Sequence, residues 1–184
     1  MLTKPDRQAR QIRSIPGAFQ TRTLESGEPV IEGYFAVFNS DYFLWPGATE
    51  RVAPGSFADE LHADVRALCD HDTRIVLGRT TAGTLTLTED ERGLYGIIKI
   101  NTADSDAMNL YARVQRGDVS QCSFGFDILD EEYIINPDGS ELWIIRKVKL
   151  YEVSVVTFPA YEETSVSARS ADTPARRERR LAAW

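Results

Sequence analysis

The segment Gln121-Cys-Ser-Phe-Gly-Phe-Asp-Ile sorts, at the two-residue period of a strand, into two faces of different character. Cys122, Phe124, Phe126 and Ile128 form an apolar face, and Gln121, Ser123, Gly125 and Asp127 a polar one. Ser123 therefore projects from the polar side, beside a glycine that leaves backbone room for a substrate and with nothing bulky to shield its hydroxyl. A serine hydroxyl is a weak nucleophile until a base takes its proton, and histidine suits because its pKa lies near neutrality. Only His62 and His71 are available. His62 follows a short helical segment and reads as a surface residue, whereas His71 ends the strand Val65 to Cys69 between Asp70 and Asp72 and is the better base. Each residue taken alone also has an ordinary reading, as a strand serine and a strand-end histidine.

Neighbouring residues raise two other chemistries. Cys122 beside Ser123 suggests a thiol nucleophile, but strand parity turns it into the apolar face, and Cys69 and Cys122 both read as buried thiols. Cys69-Asp70-His71-Asp72 contains metal-ligating types, yet contiguous strand residues point to opposite faces. The sequence lacks a Gly-x-x-x-x-Gly-Lys phosphate loop, a Gly-x-Gly-x-x-Gly turn, a His-Glu-x-x-His pair and a Gly-x-Ser-x-Gly elbow, so nucleotide, zinc-protease and α/β-hydrolase readings lose their usual support.

The elements that must position Ser123 and His71 are mostly strands. Val30 to Asn39, Val65 to Cys69, Ile75 to Thr80, Thr84 to Thr88, Leu94 to Ile100, Gln121 to Leu129, Leu142 to Val148 and Leu150 to Thr157 each read as extended, with Asn136-Pro-Asp-Gly as a hairpin turn. Ser56 and Asp59 suit the cap of a short helix. One long helix is expected where Ala107, Leu110, Tyr111 and Val114 recur at helical spacing, between a cap at Asp104 or Ser105 and a stop at Gly117. Seven or eight strands with one such helix predict a β-rich α+β fold, a closed or nearly closed β-barrel with helices around it. Residues 1-28 read as a flexible arm, 29-164 as one domain, and 165-184 as a mobile tail carrying the basic run Arg176-Arg-Glu-Arg-Arg180.

A formal net charge of -7 argues against a surface built to neutralise phosphates, so no direct nucleic-acid contact is expected. The chain has no apolar run long enough to span a bilayer, and no membrane partner is expected. Its 2 cysteines fit a reducing compartment.

Taken in order, several segments resemble the prohead proteases of HK97-type phages, a family of serine peptidases. The matching pieces are Gly33-Tyr-Phe-Ala-Val-Phe-Asn39, Pro54-Gly-Ser-Phe57, Leu68-Cys-Asp-His-Asp72 with Leu77-Gly-Arg79, Gly93-Leu-Tyr-Gly96, Cys122-Ser-Phe-Gly-Phe126, and Leu150-Tyr-Glu-Val-Ser-Val-Val-Thr-Phe-Pro-Ala160. Each is weak alone; their order is specific. The resemblance implies His71 and Ser123 as the catalytic pair, and a distant likeness to the herpesvirus maturation protease, a barrel whose third member is a second histidine on a later strand. Here that strand offers Glu152, with Asp70, Asp72 and Asp127 as rivals. The turn after it supplies oxyanion contacts in the herpesvirus enzyme, which points here to the amides of Ala160 or Tyr161, since Pro159 has none.

The family further implies a serine endopeptidase that needs no cofactor or metal. Its expected partners are the major capsid protein, whose scaffolding segment it cuts, and itself, through autoprocessing and a homo-oligomer. The expected place is inside the procapsid in the host cytoplasm, whether of a phage, a prophage or a gene transfer agent. A non-enzymatic capsid-assembly or scaffolding protein on the same barrel is the rival reading.

Overall fold

The computed structural model describes residues 6–15 and 19–158. Among the described residues eleven strands follow one another: β1 (Gln11–Ile15), β2 (Gln20–Thr23), β3 (Pro29–Val37), β4 (Tyr42–Trp45), β5 (Ala48–Val52), β6 (Arg66–Cys69), β7 (Asp72–Arg79), β8 (Leu85–Glu89), β9 (Gly93–Lys99), β10 (Gln121–Ile135) and β11 (Glu141–Val156). A single α-helix among the described residues, α1 (Ser105–Arg116), lies between β9 and β10. It starts where the Asp104 side chain accepts hydrogen bonds from the amides of Asp106 and Ala107, and stops where Gly117 turns left-handed at φ 85°. Ala107, Leu110 and Val114 are its buried stripe.

The strands pair into two sheets: one of seven strands around β10 and β11, and one of four in the order β2-β3-β9-β8. The expected closed barrel is therefore corrected: among the described residues no ring of paired strands closes. Apolar side chains meet between the layers, with Phe57 edge-on to Phe124 at 5.6 Å, Phe124 stacked on Phe126 at 4.8 Å, and Ile31, Phe35, Leu94, Ile98 and Val153 fully buried. This is where the strand alternation of β10 sends Cys122, Phe124 and Phe126.

Three local expectations change. The pieces expected as Leu142 to Val148 and Leu150 to Thr157 are one 16-residue strand, kept continuous by register shifts against β10 that absorb the break in alternation. The short helix expected after Ser56 is a 3₁₀ turn (Ala58–Glu60), but Ser56 does not cap it, because its hydroxyl donates instead to the carbonyls of Ala53 and Ile145. The arm expected over 1-28 contains β1 and β2. Its polar residues find partners in the sheet, so Gln11, Arg13 and Ser14 are buried although no apolar period marks them. The expected tail, 165-184, lies outside the described residues.

β11 is the axis of the large sheet. It pairs antiparallel with β10 along one edge; along the other it pairs in parallel with β5 through Glu141–Ile145 and with β6 through Glu152–Val155. Around the site the strands thus lie side by side as β1, β10, β11, β6 and β7.

Candidate active site

Ser123 and Gly125 on β10 face Ser154 and Glu152 on β11, and directly opposed residues of an antiparallel pair share a face. Next in line, β6 and β7 are joined by the two-residue turn Asp70-His71, whose φ angles of 48° and 60° are the left-handed pair that a tight hairpin demands. Aspartate and histidine are among the few non-glycine residues that enter that conformation readily, and the surroundings hold the turn in it. Those surroundings are specific. The Asp70 amide donates to the Val155 carbonyl, and the Asp70 carboxylate accepts from the Thr157 amide at 2.6 Å and the Thr157 hydroxyl at 3.0 Å. The end of β11 therefore clamps the turn that carries His71.

His71 Nδ1 and Glu152 Oε1 are 2.7 Å apart, with both side chains largely buried. The other Glu152 oxygen accepts from the Ser154 hydroxyl at 2.6 Å. Held this way, the carboxylate fixes the ring and selects the tautomer with its proton on Nδ1. His71 Nε2 is buried and has no hydrogen-bond partner. A buried, lone-pair-bearing nitrogen with nothing to accept from is costly in a resting fold and is what a general base needs before its proton donor arrives.

The rival carboxylates are engaged elsewhere. Asp70 serves Thr157; Asp72 binds Arg74, which pulls its carboxyl down to about 2; Asp127 accepts from the Tyr151 hydroxyl at 2.6 Å. His62 is exposed in the turn beyond the 3₁₀ segment. Cys122 is buried, its thiol 2.8 Å from the Tyr34 carbonyl, and burial pushes it up to about 12. Burial likewise pushes Cys69 up to about 11. Neither thiol is poised to ionise near neutrality. Ala160 and Tyr161, the expected oxyanion contacts, lie outside the described residues.

The expectation of an unshielded Ser123 is overturned. β1 pairs antiparallel with β10 in the register Ser14 to Ser123, and Ser123 is 0% exposed. Its hydroxyl donates to the Arg13 carbonyl at 2.9 Å rather than to His71. Arg13 in turn extends its guanidinium to Glu50 on β5, with Nε to Oε1 at 2.6 Å and Nη2 to Oε2 at 3.0 Å. Sequence reasoning missed both β1 and Ser154. Parity along Glu152-Val-Ser154 marks the serine as sharing the glutamate's face; nothing in Gln11–Ile15 marks β1 as a cover, since its contacts are polar and long-range.

The family model described as caudovirus prohead serine protease matches residues 18–177. The prohead protease of Enterobacteria phage HK97 is 31% identical over 151 residues, which are 79% of this chain and 62% of that protein. The prohead protease of Escherichia phage T5 is 30% identical over 98 residues, 53% of this chain and 42% of that protein. This chain thus spans less than two thirds of either relative. Among solved structures, the bacteriophage T4 capsid assembly protease superposes with a TM-score of 0.53 at 13% identity, covering 80% of this chain and 96% of the other, a likeness of fold.

Proposed function

Because this chain belongs to the caudovirus prohead serine protease family, we propose that it is a serine endopeptidase of capsid maturation, with Ser123 as nucleophile, His71 as general base and Glu152 as the carboxylate that orients the imidazole. The observation that carries this reading is the His71 Nδ1 to Glu152 contact of 2.7 Å with Nε2 left unpartnered, Glu152 lying on the strand next to that of Ser123. In the reaction the Ser123 oxygen attacks the substrate carbonyl while its proton passes to His71 Nε2. The imidazolium, steadied by Glu152, returns that proton to the leaving amine, and water repeats the sequence on the acyl enzyme. The chemistry asks for no metal or organic cofactor. Ser123 must first lose its bond to the Arg13 carbonyl, so β1 has to leave the edge of β10 before another chain can be cut.

The substrate is the scaffolding segment of the major capsid protein, cut inside the procapsid in the host cytoplasm, together with this chain's own ends, including residues 165-184. Co-expression with the capsid protein of the same gene cluster, read by intact mass, tests this. Wild-type protein should shorten the capsid protein and Ser123→Ala should not; processing by Ser123→Ala would end the reading.

One observation favours the rival, a capsid-assembly protein without enzymatic activity: Ser123 is fully buried and satisfied, as a structural strand serine would be. On that reading capsid protein co-assembles with the chain and keeps its full mass.

A further inference from the structure

Resting on the proteolytic reading, one feature of the covered site identifies the peptide it takes. Proteases hold substrates extended, commonly as an added strand on a sheet edge, with one carbonyl presented to the nucleophile. β1 does both: it lies antiparallel on β10, and the carbonyl within reach of the Ser123 hydroxyl is that of Arg13, at 2.9 Å. Arg13 thus stands where the residue preceding a scissile bond would stand.

Its side chain is not left to solvent. It borders a cavity of about 240 Å³ that Tyr42, Val52 and Phe124 also line, and the Glu50 carboxylate grips it through two nitrogens. The guanidinium also lies 5.0 Å from the Tyr42 ring and 5.7 Å from the Phe126 ring, a setting suited to a planar cation. Glu50 is 1% exposed. Its second cation is Arg7, at 2.8 Å, which belongs to the same N-terminal segment.

When β1 leaves β10, Arg13 goes with it, and Arg7 lies six residues before it along the same stretch. A buried carboxylate stripped of its cations carries a desolvation penalty that its surroundings do not repay. An incoming strand that brings an arginine or lysine to the same register restores the pair; one that brings a neutral or acidic residue leaves the charge stranded or adds a second. We infer that Glu50 is the floor of a specificity pocket and that this protein cleaves extended peptides after a basic residue, arginine above lysine because the grip is bidentate.

The test uses the full chain with capsid protein and with a mixed peptide library, sequencing the new C-termini by mass spectrometry. Wild-type products should end in Arg or Lys. Glu50→Gln, which keeps the shape, should lower kcat/KM for such sites about 100-fold or more. Glu50→Gln also loses partners within the fold, so a second measurement needs no variant: a peptide aldehyde ending in argininal should inhibit wild-type protein about 100-fold better than the same peptide ending in norleucinal. Ser123-dependent cleavage after neutral or acidic residues, or equal inhibition by the two aldehydes, overturns the pocket and leaves the proteolytic reading intact. No Ser123-dependent cleavage at all removes both.

Discussion

Glu152 lies directly over Gly125: a Cβ built on that glycine would come within 2.5 Å of the Glu152 carboxylate oxygen and 3.3 Å of its Cγ. The glycine is therefore the space that lets Glu152 reach His71, and the strand pairing Gly125 to Glu152 sets the geometry of the site. Gly125→Ala should push the carboxylate off the imidazole. A displacement of about 1 Å costs on the order of 100-fold in rate, and overpacking a full core costs about 1–3 kcal/mol. Capsid-protein processing should fall far more than thermal stability does; a loss of Tm with processing unchanged would separate Gly125 from the site.

The three proposed roles predict a graded series. Ser123→Ala and His71→Ala should each abolish processing, by roughly a million-fold as in a comparable triad. Glu152→Gln keeps the shape and loses the charge, with an expected loss on the order of 10⁴-fold. Asp72→Asn removes a carboxylate that serves the exposed Arg74, and should be mild. Single-turnover rates on a capsid-protein fragment measure all four. If Asp72→Asn is crippling while Glu152→Gln is mild, the orienting role belongs beside His71.

Much of this site was legible in the sequence because it rests on local patterns. Alternation along Gln121-Cys-Ser-Phe-Gly-Phe correctly sent Cys122, Phe124 and Phe126 into the core, and Asp104 and Gly117 marked the ends of the long helix. Nearness of His71 to the proposed nucleophile's neighbours was not legible from such patterns. It depends on the parallel pairing of β6 with β11, a contact between residues more than eighty apart that no local period encodes. The same holds for the cover on Ser123. Strand β1 is held by Arg13 to Glu50 and Arg7 to Glu131, polar pairs whose partners lie on distant strands, so its composition reads as a solvated arm. Alternation identifies which face a side chain takes but not whether another strand closes over it, and so an open Ser123 was expected where a covered one is found.

The cover predicts slow serine chemistry in the free protein. A fluorophosphonate needs Ser123 exposed, and exposure requires local opening of β1, whose free energy sets the labelled fraction. Ser14→Pro removes an amide from β1 opposite Ser123 and should weaken the strand without touching β10 or β11. Labelling at Ser123 should then rise about 10- to 100-fold, since 1–3 kcal/mol of lost pairing converts to that factor. Equal labelling of the two proteins would mean that β1 does not limit access.

The buried Cys122 thiol predicts an alkaline weakness. Cys122 ionises at about 12 in the fold, because burial penalises the thiolate, against 9.0 when free. The folded protein therefore holds this proton more tightly than the unfolded chain, and by linkage the stability is complete below the unfolded value and declines as pH rises from there towards the folded one. The slope is about 1.4 kcal/mol per pH unit for one such group. Wild-type protein should lose Tm between pH 9 and pH 11, and part of that loss should vanish in Cys122→Ala, which has no thiol to ionise, whatever its own Tm at neutral pH. Cys69, raised for the same reason to about 11, adds to the wild-type decline more weakly because it is only half-buried. At pH 8 a disulfide-exchange reagent should leave Cys122 unmodified in the folded protein and react with it on denaturation. Rapid native modification of Cys122 would contradict its place in the core and reopen the thiol as a candidate nucleophile.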